Sequence, residues 1–157
     1  MTPADLLAKA RAQGVMIAAA ESCTGGMVMA ALTDVPGSSD VVERGFVTYS
    51  NEAKIEMLGV SSRSLAAHGA VSAEVAAEMA AGALAASRAH LAVSITGIAG
   101  PGGSDYKPEG RVWFGIARKG RDVKTELQDF GALGRDTVRR AARDHALTLL
   151  ADALDQP

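Results

Sequence analysis

The sequence has little of several features that would assign it to a class at once. It has one cysteine, Cys23, in 157 residues, which excludes an internal disulfide and a thiolate zinc cluster. Its formal net charge is −2, and its basic residues are scattered, so we expect no nucleic-acid partner. It has no run of about 18 apolar residues, so we expect no membrane-spanning helix and no membrane partner. No basic start followed by an apolar stretch opens the chain, and we therefore expect a cytoplasmic protein.

Sequence motifs for metals and for common nucleotide cofactors are also absent. The sequence contains no His-Glu-x-x-His, no cysteine pair and no aspartate-rich loop, so we expect no metal site. Its glycine-rich stretches match neither the ATP-binding P-loop nor the Gly-x-Gly-x-x-Gly that opens a helix in a Rossmann fold. We therefore expect a protein that works without a cofactor.

The composition that is present predicts one globular domain. Apolar residues make up 48% of the chain and charged residues 22%, which is enough to bury a core without cross-links. The length predicts a single domain over residues 1–157. Strands are predicted at 15–20, 46–49, 91–96, 111–117 and 123–130, and the main helices at 3–13, 27–32, 52–58, 72–89 and 136–154. This alternation predicts a three-layer α/β/α sandwich with a mixed, mostly parallel sheet.

A turn of small residues, Ala20-Glu21-Ser22-Cys23-Thr24-Gly25-Gly26, follows the first predicted strand. Ligands of open α/β sheets bind outside the carboxyl ends of strands, and the N–H groups at a helix start can bind an anion or stabilise an oxyanion. We predict Ser22 as a nucleophile, with Thr24, Gly25 and Gly26 contacting the substrate. The spacing fits equally well a Ser22 or Thr24 that only caps the helix, and Cys23 is a rival nucleophile.

A serine nucleophile needs a base, and histidine is the usual one. None of the three histidines lies in a glycine-rich or strand-end segment. Lys54 lies in the first turn of a predicted helix, directly after Tyr49-Ser50-Asn51-Glu52-Ala53, where burial and the helix dipole both disfavour its charge. We therefore predict Lys54 as the base, although a lysine at this position is more often solvated.

A glycine-rich loop follows the strand at 91–96. Its sequence is Thr96-Gly97-Ile98-Ala99-Gly100-Pro101-Gly102-Gly103, and its backbone N–H groups could bind a phosphate or a ribose. Arg139 and Arg140, in the last predicted helix, could add an anion site, whereas a solvated charged face is the alternative for both.

These segments closely resemble the CinA C-terminal domain family. The resemblance rests on the three segments above together with Gly45-Phe46-Val47-Thr48, His68-Gly69-Ala70-Val71-Ser72, Val112-Trp113-Phe114 and the pair Arg135 and Arg139, and it covers nearly the whole chain. The family's members are nicotinamide-nucleotide amidases (PncC), also described as competence/damage-inducible proteins. Its longer members carry an additional N-terminal domain with a separate activity, so the resemblance implies only the amidase.

The resemblance implies hydrolysis of nicotinamide mononucleotide to nicotinic acid mononucleotide and ammonia, in pyridine-nucleotide recycling. It implies Ser22 as nucleophile, Lys54 as base and Tyr49 as a supporting hydroxyl. The residues that it implies for substrate binding, with Arg139 at the phosphate, are Thr24, Gly25, Gly26, Ser50, Thr96, Gly97, Gly100 and Arg139. Two alternatives stay open: a non-catalytic nucleotide-binding or competence/DNA-damage interaction module, and a hydrolase of another small amide. The apolar helices also suggest a homodimer.

Overall fold

The computed structural model describes residues 1–104 and 106–156. Within them the strands are β1 (Ile17–Glu21), β2 (Val42–Val47), β3 (Leu91–Gly97), β4 (Arg111–Arg118) and β5 (Lys124–Asp129). The helices are α1 (Pro3–Gln13), α2 (Met27–Thr33), α3 (Asn51–Leu58), α4 (Ser62–His68), α5 (Ala73–Ala85) and α6 (Arg135–Leu154), with a short 3₁₀ helix at Ser38–Asp40. No described helix combines the length and the apolar composition that crossing a membrane requires.

The five strands form one sheet in the order β2-β1-β3-β4-β5. Strand β1 runs parallel to both β2 and β3, whereas β4 is antiparallel to both β3 and β5. Four strands therefore point in one direction and β4 opposes them, which confirms the prediction of a mixed, mostly parallel sheet. Because β1 and β3 are parallel, with Glu21 opposite Ile95, the segments that follow both strands meet at one edge.

Helices cover both faces of this sheet. Successive residues of a strand point to opposite faces: Ile17 and Ala19 pack in the cluster shared with α1, α2 and α6, and Ala18 and Ala20 pack in the cluster shared with α3 and α5. All four side chains are fully buried. A continuous apolar run is typical of a strand covered on both faces. The predicted three-layer α/β/α arrangement is confirmed.

Several helix boundaries follow from capping residues in the sequence. Thr2 and Asp5 form a capping box at the start of α1, and Gly14 ends that helix in the left-handed conformation. Ser50 caps α3, because its side chain accepts a hydrogen bond from the Ala53 N–H. These side chains satisfy backbone groups that a helix end leaves free.

Two predicted boundaries were wrong. Strand β2 covers Val42–Val47 and not 46–49. It is an edge strand, paired only with β1. Its first four residues are therefore not buried, and Glu43, Arg44 and Gly45 interrupt the apolar pattern that would have predicted a strand there. Helix α5 ends at Ala85 and not near residue 89, because Ser87 bonds back to the helix end and to the Ala89 N–H and so starts a turn.

Candidate active site

A cavity of about 450 Å³ lies at the carboxyl ends of β1 and β3. Its walls are the turn after β1, the start of α3, residues 69–71, and the glycine-rich loop at 96–104. Lys107 and Arg135 complete the lining. The cavity therefore lies at the edge of the sheet where parallel α/β proteins bind ligands.

Ser22 and Lys54 meet at the inner end of this cavity. Lys54 Nζ lies 3.0 Å from Ser22 Oγ, within hydrogen-bond distance. Lys54 is 1% exposed and Ser22 is 8% exposed. The Ser50 cap starts α3 so that the Lys54 side chain points inward beside Leu58. The structure thus brings together the two residues that 31 intervening positions separate in the sequence.

The other partners of Lys54 orient its amine toward Ser22. Nζ lies 2.8 Å from the Thr48 carbonyl oxygen and 3.3 Å from that of Tyr49. Burial lowers the pKa of Lys54, because desolvation penalises the charged form. A neutral amine donates two hydrogens and accepts one. If the two carbonyls take the hydrogens, the lone pair faces the Ser22 hydroxyl.

Cys23 lies next to Ser22 but has no comparable partner. Its side chain is 5% exposed, and burial raises the pKa of Cys23 to about 11. The thiol is therefore protonated at neutral pH, and a protonated thiol is a poor nucleophile. Its surroundings favour Ser22 as the reacting group.

The start of helix α2 is occupied by a side chain of the protein itself. The Glu21 carboxylate is fully buried and accepts hydrogen bonds from the Thr24 hydroxyl and from the N–H groups of Gly26, Val28 and Met29. The positive end of α2 is thus neutralised internally. The sequence pattern predicted a ligand at that helix start, but the Glu21 carboxylate accepts hydrogen bonds from its N–H groups.

The turn between Glu21 and α2 retains free donors. Gly25 N–H donates to the Ser22 carbonyl at 3.1 Å, which closes the turn. In the described part of the chain, neither Cys23 N–H nor Thr24 N–H donates to a protein acceptor. Cys23 lines the cavity, so its N–H is the nearest candidate for an oxyanion donor.

Of the eleven residues predicted for the site, six line the cavity: Ser22, Tyr49, Lys54, Thr96, Gly97 and Gly100. Thr96 Oγ1 donates to the Ala70 carbonyl at 2.9 Å, which joins the β3 end to the opposite wall. The remaining five are not among the described lining residues: Thr24, Gly25, Gly26, Ser50 and Arg139.

Structural contacts account for these five residues. Thr24 is fully buried against Glu21, and Ser50 caps α3. Gly25 and Gly26 have φ values of 57° and 108°, a conformation that glycine adopts without strain. Arg139 donates to backbone carbonyls of the nucleophile turn. Substrate contact by these residues stays a prediction, and the geometry does not favour it.

Two cationic residues of the cavity were missed by sequence reasoning. Arg135 donates to the Gly100 carbonyl at 2.7 Å and to the Tyr49 hydroxyl at 2.8 Å. Lys107 donates to the carbonyls of His68 and Val71 at 2.7 and 2.6 Å. In the sequence Arg135 is named only as the partner of Arg139 in the family pattern, and their i, i+4 spacing is the signal that could have given Arg135 a site role as well.

The cavity is therefore electropositive. Lys107 and Arg135 line it, and no carboxylate is among its described lining residues. Such a site favours an anionic ligand, and a guanidinium is well suited to a phosphate.

A serine beside a buried lysine, at the ligand-binding edge of a mixed sheet, is typical of hydrolases that use a serine nucleophile. The family model of the CinA C-terminal domain matches residues 2–154, and the chain belongs to this family.

Named relatives and a solved structure agree with this membership. The chain is 55% identical over 141 residues to nicotinamide-nucleotide amidohydrolase PncC of Escherichia coli, covering 89% of this chain and 85% of that protein. A PncC of Enterobacter agglomerans is 53% identical over 139 residues, covering 88% and 84%. The competence/damage-inducible protein CihA of Agrobacterium tumefaciens superposes with a TM-score of 0.89 at 46% identity, over 99% of both chains.

Proposed function

We propose that this protein is a nicotinamide-nucleotide amidase that hydrolyses nicotinamide mononucleotide to nicotinic acid mononucleotide and ammonia. The observation that carries the proposal is the hydrogen-bonded pair of Ser22 and Lys54, 3.0 Å apart, in a cationic cavity. The 55% identity to a PncC amidohydrolase supports the same substrate.

In the first half of the reaction Ser22 Oγ attacks the carboxamide carbon while neutral Lys54 takes the hydroxyl proton. The tetrahedral oxyanion forms beside the free N–H of Cys23, which stabilises it. Lys54 then gives the proton to the departing nitrogen, the C–N bond breaks, and ammonia leaves an acyl-serine ester.

In the second half of the reaction water replaces ammonia. Lys54 takes a proton from the water, the hydroxide attacks the ester carbon, and the proton returns to Ser22 Oγ as the C–O bond breaks. The product is the carboxylic acid, and Ser22 and Lys54 return to their starting states.

The cavity wall has groups that match the rest of this substrate. Arg135 and Lys107 line the cavity, and we expect them to bind the phosphate. Tyr49 is 62% exposed at the cavity, so its ring can stack on the cationic pyridinium. Thr96 with Gly97 and Gly100 forms the wall for the ribose.

We also propose the cytoplasm as the site of action and a homodimer as the solution state. Sedimentation analysis tests the homodimer.

The test is ammonia release from nicotinamide mononucleotide, nicotinamide riboside and nicotinamide, with the wild-type protein and Ser22→Ala. We expect release from the nucleotide by the wild-type protein only, and a specificity constant about 10- to 100-fold lower for the riboside, because a charge-assisted contact to the phosphate is lost. Equal specificity constants for the nucleotide and the riboside would show that the protein does not recognise the phosphate. Binding of the nucleotide without ammonia release would favour the non-catalytic module.

A further inference from the structure

Arg139 contacts the backbone of the turn that carries Ser22. Its Nε donates to the Cys23 carbonyl at 3.0 Å, and its Nη2 lies 3.4 Å from the Thr24 carbonyl oxygen. The side chain is half-buried and is not among the described residues that line the cavity. The guanidinium therefore contacts two consecutive peptide units of the turn.

The contact between Arg139 and the Cys23 carbonyl also affects the N–H group of the same peptide unit. The Cys23 carbonyl belongs to the same planar peptide unit as the Thr24 N–H, and in a trans peptide the two groups point in opposite directions. Holding the Cys23 carbonyl on the Arg139 side therefore fixes the direction of the Thr24 N–H. The Thr24 carbonyl shares its peptide unit with the Gly25 N–H, which donates to the Ser22 carbonyl at 3.1 Å. That carbonyl shares its peptide unit with the Cys23 N–H, so the two contacts of Arg139 act on both free N–H groups. A cation at the carbonyl end also polarises the peptide and strengthens its N–H as a donor.

Gly25 leaves room for this guanidinium beside the turn. A Cβ at Gly25 would lie 3.3 Å from Arg139 Nη2, and the residue has a φ of +57°. On the other side of the turn, the Glu21 carboxylate accepts hydrogen bonds from the Thr24 hydroxyl and the Gly26 N–H. Glu21 thus holds donors of the turn, and Arg139 holds two of its carbonyls.

We propose that Arg139 is a positioning residue, which fixes the orientation of Ser22 and of the free N–H groups of Cys23 and Thr24 by binding the Cys23 and Thr24 carbonyls, and that it does not bind the substrate phosphate. The amidase assay of this inference rests on the proposed function. Reactivity of Ser22 toward a fluorophosphonate probe does not, because that probe reports on the serine whatever the natural amide is.

The experiment compares Arg139→Lys and Arg139→Gln with Arg140→Gln. Arg140 is the neighbouring arginine of α6, pairs with Asp136 at 2.9 Å and is exposed. The measurements are kcat and KM for nicotinamide mononucleotide and for its riboside, the rate of Ser22 labelling, and the thermal midpoint, with all rates taken well below that midpoint.

We expect Arg139→Gln to lower kcat and the labelling rate together by about 10- to 100-fold, the usual effect of losing contacts to a charged group. The ratio of specificity constants for nucleotide and riboside should stay at the wild-type value. Arg139→Lys should recover part of both rates, because it keeps the charge but not the planar pair of donors. Arg140→Gln should match the wild type.

Two results would overturn the proposal. If the nucleotide-to-riboside ratio falls toward one in Arg139→Gln while labelling is unchanged, Arg139 binds the phosphate. If kcat and labelling both stay at the wild-type level in the folded variants, Arg139 positions nothing. A wild-type protein that is labelled at Ser22 but releases no ammonia would contradict the proposed substrate, and the labelling comparison would still decide the role of Arg139.

Discussion

Lys54 has surroundings that few lysines have. Lysine is almost never fully buried without a partner, yet its side chain here is 1% exposed and its partners are one hydroxyl and two backbone carbonyls. No carboxylate is among its hydrogen-bond partners in the described residues. The sequence predicted a role for Lys54, but only the fold supplies the burial and the acceptors on which that role depends.

The lowered pKa of Lys54 predicts how activity depends on pH. The neutral amine is the base, so the rate should rise with pH through an apparent pKa below the free lysine value of about 10.4 and then level off. Lys54→Arg should be inactive, because a guanidinium keeps its proton. The measurement is kcat/KM against pH for the wild type, Lys54→Arg and the exposed control Lys119→Arg, which should behave as wild type. Near-normal activity of Lys54→Arg would make the lysine an electrostatic anchor.

Ser22 and Cys23 are adjacent, so replacing each by alanine identifies the nucleophile. Ser22→Ala should abolish ammonia release, because it removes the hydroxyl that faces Lys54. Cys23→Ala should keep most of the activity, because the pKa of the thiol is raised to about 11 and the group stays protonated. Steady-state kinetics of both variants give the answer, and an inactive Cys23→Ala with an active Ser22→Ala would reverse the assignment.

At the scale of elements, the position of α3 depends on its contact with α5. A Cβ at Gly82 of α5 would lie 1.9 Å from the Leu58 carbonyl oxygen, which is backbone at the end of α3. Glycine in a helix normally costs about 1 kcal/mol relative to alanine, so its presence here reflects the close approach of the two helices. Because α3 carries Lys54, this contact also sets the distance between Lys54 and Ser22.

Gly82→Ala should therefore lower both stability and activity. We expect the free energy of unfolding to fall by about 1–3 kcal/mol through overpacking, and kcat to fall as α3 moves away from β1. The control is Ala81→Gly, at an exposed position of the same helix, which should cost about 1 kcal/mol of stability and leave kcat unchanged. Chemical denaturation and steady-state kinetics measure the two effects. A more stable and fully active Gly82→Ala would show that α3 does not need this contact.

For the whole molecule we predict an amidase that needs no metal. The mechanism proposed above uses only Ser22, Lys54 and backbone donors. Among the described residues, no group of three or more His, Cys, Asp or Glu is placed to hold a metal ion. Ammonia release should therefore be unchanged after extensive dialysis against a chelator. Activity that is lost in the chelator and restored by one divalent ion would contradict the prediction.

The sequence by itself determined the layers of the fold, and it predicted the chemistry of the candidate site. The apolar run at 15–20 predicted a strand covered on both faces, and capping residues such as Thr2, Gly14 and Ser50 set helix ends, because these signals act over a few neighbouring residues. The segments around Ser22, Lys54 and Thr96 carried enough of the pattern to indicate a serine–lysine site and a family.

The tertiary structure alone decided which residues share the cavity and which lie behind it. Arg135, and not Arg139, is among the described lining residues of the cavity, although both lie in α6, because α6 packs on one face of the sheet and its first residue reaches the cavity. Glu21 closes the start of α2 that the sequence analysis assigned to a ligand. The role of Glu21 depends on how the turn folds back on its own carboxylate. The placement of Arg135 and Arg139 depends on which elements meet at the sheet edge, and contacts between residues that are distant in the chain are not contained in any local pattern.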